Sequence, residues 1–127
     1  MSYAVIKKHG LSVFNAGFEW NGKVLKPFGK STASGWEFNG TQLKPYGQSM
    51  NKGYEWNGKV LKPHGRSAMA GYDCSETFLK PYGKSKESGW EVKNNICIPF
   101  GKANSEGYEI QGRIPLPLIA LVVFDLA

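Results

Sequence analysis

Residues 17–34 read GFEWNGKVLKPFGKSTAS, and the blocks that follow repeat this pattern with a period of eighteen residues. The six blocks begin at equivalent glycines: Gly17, Gly35, Gly53, Gly71, Gly89 and Gly107. Self-similarity at a fixed period is the signature of an architecture in which each unit buries apolar surface against its neighbours. The chain is therefore predicted to be a tandem array.

Most positions of the block hardly vary. In all six blocks position 1 is Gly, position 2 is aromatic, position 3 is acidic and position 11 is Pro. Positions 5 and 6 are Asn-Gly in the first three blocks, and positions 9 and 10 are Leu and Lys in the first four. Position 12 is aromatic or His in five blocks, followed by Gly and a mostly basic position 14. Positions 16 to 18 vary freely and are predicted to be loop.

The Asn-Gly pair predicts that each block folds back on itself as a β-hairpin with a type I′ turn. In the expected register, position 4 faces position 7, position 3 faces 8 and position 2 faces 9. Positions 2, 4 and 9 then form an apolar face, while the acid at 3 and the Lys at 10 are diagonal neighbours on the other face. Pro at position 11 marks where the second strand leaves the ladder.

The two ends of the array differ from the regular units. Residues 5–10 (VIKKHG) align with residues 24–29 (VLKPFG), so residues 1–16 are interpreted as half a unit, of which residues 11–16 form a linker. Residues 17–106 are five regular units, and residues 107–127 are a divergent capping unit within one domain, residues 1–127. The apolar run from Ile114 to Ala127 contains two prolines, is too short to span a membrane, and is predicted to be a closing strand or cap.

A triangular parallel β-helix is the alternative fold, because it also uses about eighteen residues per coil. It would stack the acids of position 3 about 4.8 Å apart, and each adjacent pair would repel by roughly 1 kcal/mol in water. Hairpins instead place each acid near a Lys, so an all-β array of hairpins is favoured. Because a flat array would expose a row of aromatic rings, the array is expected to coil or close on itself.

Composition limits the remaining possibilities. The 127 residues, 41% of them hydrophobic, suit a single domain. Cys74 and Cys97 occupy core-type positions without a Cys-x-x-Cys motif, so two buried thiols are favoured over a disulfide or a metal pair. The N-terminus lacks the continuous apolar region of a secretion signal, so a cytoplasmic location without membrane contact is expected.

The sequence does not match the catalytic motifs that it partly resembles. Gly-Lys-Ser at residues 29–31 and 83–85 lacks the upstream Gly of a phosphate-binding loop, since Val24 and Phe78 stand there. Six equivalent acids do not suit general acid–base catalysis, which needs two carboxylates in different environments. His9 and His64 occupy the ring position 12 or its counterpart, and both are interpreted as substitutes for Phe or Tyr. The sequence predicts no enzyme, no cofactor and no metal.

The formal net charge is +6, and many of the Lys and Arg residues recur at fixed positions of the repeat. A regular array would place them in two basic rows, with rings of position 12 nearby, and such rows can bind nucleic acid, acidic glycan or an acidic protein face. A solubilising surface is the competing interpretation. The candidate binding residues are Lys26, Lys44, Lys62 and Lys80 at position 10, Lys30, Arg66, Lys84 and Lys102 at position 14, and Phe28, Tyr46, His64, Tyr82 and Phe100 at position 12.

In residues 54–63 (YEWNGKVLKP) and 107–124 (GYEIQGRIPLPLIALVVF), the sequence resembles a group of bacterial proteins built from tandem Tyr-Glu-Trp-x-Gly-Lys-x-Leu-Lys-Pro units. The resemblance covers nearly the whole chain from Gly17 and implies a bacterial source, but no functional residues. The aromatic hairpins are also similar in style to cell-wall-binding repeats, whose motif this sequence does not match.

These observations lead to three functional hypotheses. The first is a non-enzymatic scaffold that engages a protein partner, for example as an adaptor or immunity-type protein in bacteria. The second is a binder of nucleic acid or acidic glycan that uses the basic rows. The third is a homo-oligomer in which Ile114 to Ala127 pairs as an edge strand between chains.

Overall fold

The computed structural model describes residues 4–12, 17–93 and 95–126. These residues form twelve β-strands and one α-helix. The strands are β1 (Ala4–Lys8), β2 (Gly17–Trp20), β3 (Val24–Pro27), β4 (Trp36–Phe38), β5 (Gln42–Pro45), β6 (Tyr54–Trp56), β7 (Val60–Pro63), β8 (Tyr72–Cys74), β9 (Phe78–Pro81), β10 (Trp90–Lys93), β11 (Ile96–Pro99) and β12 (Tyr108–Gln111), and the helix is α1 (Leu116–Val123).

The twelve described strands form one closed antiparallel barrel in which sequence neighbours are also sheet neighbours. Each regular block contributes one hairpin, which confirms the predicted all-β hairpin array and excludes the parallel β-helix. The hairpin turns lie at one end of the barrel, called here the turn end. The connections between blocks lie at the opposite end, the loop end, where five short 3-10 helices occupy repeat positions 16 to 18.

The N-terminal half unit closes the barrel. Strand β1 pairs with β2 on one side and with β12 on the other, which places Ile6 opposite Ile110 and Lys7 opposite Glu109. This register matches the first hairpin, where Lys26 lies opposite Glu19. The sixth unit therefore takes its second strand from the start of the chain, so closure links the two ends. Of the predicted linker, residues 13–16 lie outside the described residues.

The register within each hairpin differs from the prediction by two residues. In the first hairpin Trp20 faces Leu25 and Glu19 faces Lys26, so position 4 pairs with 9 and position 3 with 10. The Oδ1 atom of Asn21 accepts hydrogen bonds from the N–H groups of Lys23 and Val24, both at 2.9 Å, and fixes a longer turn. A shift of two residues preserves the faces, so the predicted apolar and charged faces are correct.

The type I′ geometry predicted for Asn-Gly is also wrong. A type I′ turn needs a positive φ at both central residues, but Gly22 has φ +99° whereas Asn21 does not share this conformation. In the fourth block Ser75 replaces the Asn, and its Oγ accepts the N–H groups of Thr77 and Phe78 at 3.2 Å. Asn94 of the predicted fifth turn is not among the described residues.

The barrel interior is built in three layers that follow from the strand register. A position-9 residue pairs with position 4 of its own hairpin and with position 2 of the next block, as Leu25 does with Trp20 and Trp36. Position 4 therefore lies toward the turn end, position 2 toward the loop end, and position 9 between them. The middle layer is at most 1% exposed and consists of Ile6, Leu25, Leu43, Leu61, Leu79 and Cys97.

Helix α1 fills the centre of the barrel, so Leu116–Val123, within the run from Ile114 to Ala127 that was predicted as a closing strand or cap, do not form a strand. All residues from Pro117 to Val123 are buried, and those from Leu118 onward belong to the same core cluster as the middle layer. A helix that is apolar on every side must be enclosed by protein. Phe124, just after the helix, stacks on Tyr72 with ring centroids 4.4 Å apart. Leu116–Val123 are therefore not an edge strand, and self-association of the chain through Ile114 to Ala127 stays a prediction.

The two cysteines are free buried thiols, as predicted. Cys97 belongs to the middle layer, and Cys74 lies at position 4 of the fourth block. Burial raises the pKa of each thiol to about 12. The reactive thiolate form is therefore suppressed near neutral pH.

Candidate functional site

The outer wall of the barrel carries a ladder of direct acid–lysine pairs. The acid of position 3 and the Lys of position 10 lie opposite each other on neighbouring strands, which brings their charged groups into contact. The Nζ–oxygen distances are 2.7 Å for Lys26–Glu19, 3.3 Å for Lys44–Glu37, 2.8 Å for Lys62–Glu55, 3.0 Å for Lys80–Asp73 and 2.8 Å for Lys7–Glu109. The last pair spans the junction between the two ends of the chain.

Backbone groups complete several of these pairs. The N–H of Gly47 donates to Glu37 at 2.8 Å, and the N–H of Gly65 donates to Glu55 at 3.2 Å. Each of these glycines is at position 13, so these hydrogen bonds connect the acid to the first residues of the loop. From the other side, Lys62 Nζ donates to the carbonyl oxygen of Arg66 at 2.8 Å. The ladder thus binds each hairpin to the loop that follows it.

These contacts hold the acids in their ionised form. The pKa of Glu37 is lowered chiefly by the backbone N–H of Gly47, while the pKa of Glu55 and the pKa of Glu109 are lowered chiefly by hydrogen bonds from their lysines. All three carboxylates are therefore harder to protonate in the folded chain than in the unfolded one.

Stability is expected to fall in acid for this reason. Because the folded pKa of Glu37, Glu55 and Glu109 lies below the ordinary value of 4.5, their contribution is complete above that pH and is lost as the pH falls through the folded pKa values. The thermal midpoint should drop between about pH 5 and pH 3. A variant with all three acids replaced by Gln should show a shallower drop, and an equally steep drop would contradict this assignment.

The structure separates the two lysine rows that the sequence proposed as binding sites. The position-10 side chains Lys26, Lys44, Lys62 and Lys80 are 14–28% exposed and neutralised by the ladder. The position-14 cations Lys30, Arg66, Lys84 and Lys102 are exposed at the loop end, and no described acid forms an ion pair with them. Only the second row offers uncompensated charge.

The side chains of position 12, also proposed as binding residues, differ in their exposure. Tyr46, Tyr82 and Phe100 are exposed, at 37–42%, whereas Phe28 and His64 are half-buried. His64 Nδ1 lies 2.9 Å from Glu55 Oε2, within ion-pair distance of the ladder acid, although this buried nitrogen has no hydrogen-bond partner among the described residues. His64 thus adds to the ladder, which goes beyond its predicted role as a ring substitute.

A cleft that the sequence did not indicate opens at the turn end, between the first two hairpins. Its volume is about 530 Å³. Trp20 and Phe38 line its inner side with ring centroids 6.3 Å apart, and Pro115 contributes from the segment that leads into α1. Polar residues of the hairpin turns, including Lys23 and Asn39, form its rim.

A second cleft, of about 460 Å³, adjoins the first across Trp20 and Pro115. Ile119 of α1 and Val92 of β10 line it, and Arg113 and Glu76 stand at its edge. Helix α1 contributes Leu116 and Ile119 to the second cleft, whereas the first cleft also includes Val24 and the ladder acid Glu37 of the outer face. Tyr46 of the first cleft is among the predicted binding residues, whereas Trp20, Phe38, Val92 and Ile119 looked like ordinary core in the sequence, and the missing signal for them was the position of the helix. Together the two clefts are called the turn-end clefts.

Among the described residues no group of three or more His, Cys, Asp or Glu side chains is arranged to hold a metal ion. The single described α-helix is not long and apolar enough to cross a membrane.

Comparisons with protein-family models, curated proteins and solved structures give no match.

Proposed function

We propose that this chain is a non-enzymatic β-barrel scaffold that binds a protein partner through the turn-end clefts, as an adaptor or immunity-type protein would. The observation that supports the proposal most directly is the half-buried Trp20, which lines both clefts. A concave apolar surface that contains a Trp and has a polar rim is the usual form of a binding hot spot.

The surroundings of Trp20 favour a rigid site. Its indole packs near the ring of Phe38 on one side, and Pro115 and Ile119 lie beneath the two clefts. Because β-strand and helix residues supply these walls, a partner would lose little free energy to ordering them. An apolar or aromatic side chain of the partner would fill the cleft, and the turn residues would make polar contacts around it.

The outer-wall acids give reason to expect binding rather than catalysis. Catalytic carboxylates act in pairs whose environments push their pKa values apart. Here Glu37, Glu55 and Glu109 all have a lowered pKa, chiefly because the Gly47 N–H donates to Glu37 and a lysine donates to each of the other two, in equivalent places of the repeat. Such a repeated arrangement suits a structural role.

A matched pair of tryptophan variants tests this proposal. Trp20→Ala is expected to remove capture of the partner from cells of the source organism, measured by affinity purification and quantitative mass spectrometry. Trp56 is at the same repeat position and lines a smaller cleft of about 270 Å³ but neither turn-end cleft, so Trp56→Ala should retain the partner. If the wild-type chain captures no protein, or if Trp20→Ala captures as much as wild type, the proposal fails.

A second function, binding of nucleic acid or acidic polysaccharide, is favoured by the free cations of position 14. Arg66, Lys84 and Lys102 belong to three consecutive blocks at the loop end, beside the exposed rings of Tyr82 and Phe100. Neighbouring blocks are two strands apart, which sets their cations about 10 Å from each other along the barrel. Cations alternating with rings suit a single-stranded polyanion.

Two variants with equal loss of charge test this alternative. Replacing Lys30, Arg66, Lys84 and Lys102 with Ala should weaken binding of a single-stranded oligonucleotide or heparin. For the oligonucleotide, the slope of log affinity against log salt should become shallower by up to about 3. The control replaces Lys23, Lys59, Lys93 and Arg113 at the turn end and should bind as wild type does. Equal losses in both variants would point to net charge alone and contradict a loop-end site.

A further inference from the structure

Three of the hairpin turns contain Asn followed by Gly at repeat positions 5 and 6, and these three turns share one pattern of hydrogen bonds. The Oδ1 atom of each Asn accepts the N–H groups of the residues two and three places ahead. The distances are 2.9 and 2.9 Å for Asn21, 3.0 and 2.9 Å for Asn39, and 2.9 and 2.8 Å for Asn57. Each side-chain amide is therefore held in one orientation, with two N–H donors on its carbonyl oxygen.

The glycine that follows each Asn has a free backbone N–H. Gly22, Gly40 and Gly58 are exposed, with φ values of +99°, +106° and +99°. Their N–H groups donate to no group in the part of the chain that the structure describes. Because glycine has no Cβ, no side chain shields this nitrogen. Each of the three turns thus places a free main-chain nitrogen directly after an amide whose carbonyl is polarised by two donors.

We propose that Asn21, Asn39 and Asn57 are sites of deamidation, a covalent modification that takes place in the folded turns and needs only water as a co-reactant. The nitrogen of the following Gly forms a bond to Cγ of the Asn, and its proton passes through water to the departing side-chain nitrogen. The Cγ–Nδ2 bond breaks, and that nitrogen leaves as ammonia. A cyclic imide remains.

Water then opens the imide at one of its two carbonyl groups. Attack at the side-chain carbonyl breaks the new Cγ–N bond, restores the main chain and gives aspartate. Attack at the main-chain carbonyl breaks the original peptide bond and gives isoaspartate, in which the chain runs through Cβ and Cγ. By either route one water molecule is consumed, one ammonia molecule is released, and an amide becomes a carboxylate.

The two N–H donors are the reason to expect this reaction in the native turn. When the Gly nitrogen attacks Cγ, negative charge develops on Oδ1, and donors already placed at that oxygen stabilise the charge as an oxyanion hole does. Asn39 and Asn57 are exposed, so water reaches their amides, whereas Asn21 is half-buried and should react most slowly of the three.

The chain carries its own control residues. Gln111 is at the same repeat position as the three Asn residues, and Gly112 after it is exposed with φ +85°. The longer side chain of Gln111 would have to close a larger and less favoured ring. Asn51 and Asn104 are exposed at the loop end, where the residue that follows each of them carries a side chain. All three control residues should stay amides while the Asn-Gly turns react.

This modification goes beyond the proposed function, because the chain undergoes it without a partner. It also changes the first turn-end cleft, since Gly22, Asn39 and Gly40 are among the residues that line that cleft. Conversion of Asn39 would add a negative charge to its rim.

Peptide mapping by mass spectrometry tests the proposal on the full folded chain, incubated for weeks in mildly alkaline buffer. We expect Asn39 and Asn57 to become aspartate and isoaspartate at least tenfold faster than any control residue changes. Asn57→Asp supplies the aspartate standard for the map. This variant should fold normally, because its carboxylate can accept the same two N–H groups.

A destabilised variant separates reaction in the native turn from reaction after unfolding. Leu121 is fully buried in α1 and belongs to no turn, and Leu121→Ala should keep the fold while raising the unfolded fraction more than tenfold. Reaction in the native turn predicts unchanged rates at Asn39 and Asn57 in this variant. If Leu121→Ala does not fold, Gly71→Ala serves the same purpose, because a Cβ there would press against the neighbouring strand.

Three outcomes would overturn the proposal. The first is a wild-type chain in which none of the three Asn residues changes. The second is a rate at Asn39 no higher than the rate at Asn51, which would mean that the turn contributes nothing. The third is an acceleration of more than tenfold in the destabilised variant, which would show that the folded turns protect their amides and that only the unfolded chain reacts.

Discussion

Leu121→Asp is expected to abolish cooperative folding. Leu121 is fully buried in α1, at the centre of the barrel. The substitution would remove a leucine contribution of about 2–5 kcal/mol and bury a carboxylate without a partner, which costs several kcal/mol more. A domain of this size has a free energy of unfolding of only about 5–15 kcal/mol. The far-ultraviolet circular dichroism spectrum and the thermal transition would show the loss directly.

Two further variants show whether the effect comes from the interior. Leu121→Ala should retain the fold and lower the free energy of unfolding by about 2–5 kcal/mol. Leu11 is 48% exposed, so Leu11→Asp should change stability by less than about 0.5 kcal/mol. If Leu121→Asp folded with a midpoint near that of the wild type, α1 could not be the central element of the core.

Gly71→Ala is expected to lower the free energy of unfolding by about 3 kcal/mol, at the upper end of the range for overpacking. A Cβ at Gly71 would lie 2.3 Å from the carbonyl oxygen of Leu61 and 2.8 Å from Cβ of Lys62. Strands β7 and β8 would have to separate, which weakens the backbone hydrogen bonds between them. Urea denaturation would measure the change, because the barrel should unfold as one unit.

The repeat supplies replicates and a control for this prediction. Gly53 and Gly89 meet the equivalent carbonyl oxygens at 2.1 Å, so Gly53→Ala and Gly89→Ala should destabilise the chain to a similar extent. Ser67 is exposed in the connection before Gly71, and Ser67→Ala should be close to neutral. A Gly71→Ala protein as stable as Ser67→Ala would refute the close approach of the two strands.

The sequence predicted the two faces of every hairpin correctly, because strand periodicity depends only on alternate positions. The error of two residues in the register left that alternation intact. It arose because Asn-Gly was assigned the geometry of its commonest hairpin turn, whereas the side chain of Asn21 caps two backbone N–H groups. Only coordinates show which of these two roles an Asn plays in a given turn.

Closure and the central helix were harder to predict. The half unit before Gly17 was recognised, but pairing between β1 and β12 is a contact across the whole length of the chain, and no local pattern encodes it. The apolar run after Ile114 has no alternation and no polar face, so periodicity cannot distinguish a buried strand from a buried helix there. The second turn-end cleft is lined by Leu116 and Ile119 of that helix and could not have been predicted before it.

For the candidate binding residues too, some properties could be predicted from the sequence and others could not. The lysines of position 10 were predicted to lie near acids, and their direct pairing follows from the corrected register. The replacement of Lys by Ile98 is visible in the aligned blocks, but only the register shows that Glu91 therefore faces an isoleucine where the acids of the ladder face a lysine. A departure from a repeat becomes informative only when the role of the repeated residue is known.

Closure of the barrel by the two ends of the chain is tested most directly by nuclear Overhauser effects between β1 and β12. Backbone protons of Ile6 and Ile110 face each other across this junction. Cross-peaks between these residues in a monomeric sample, with the same pattern as those between Leu25 and Trp20, are the predicted result. Their absence, with the cross-peaks inside each hairpin retained, would show an open array and contradict the closed barrel.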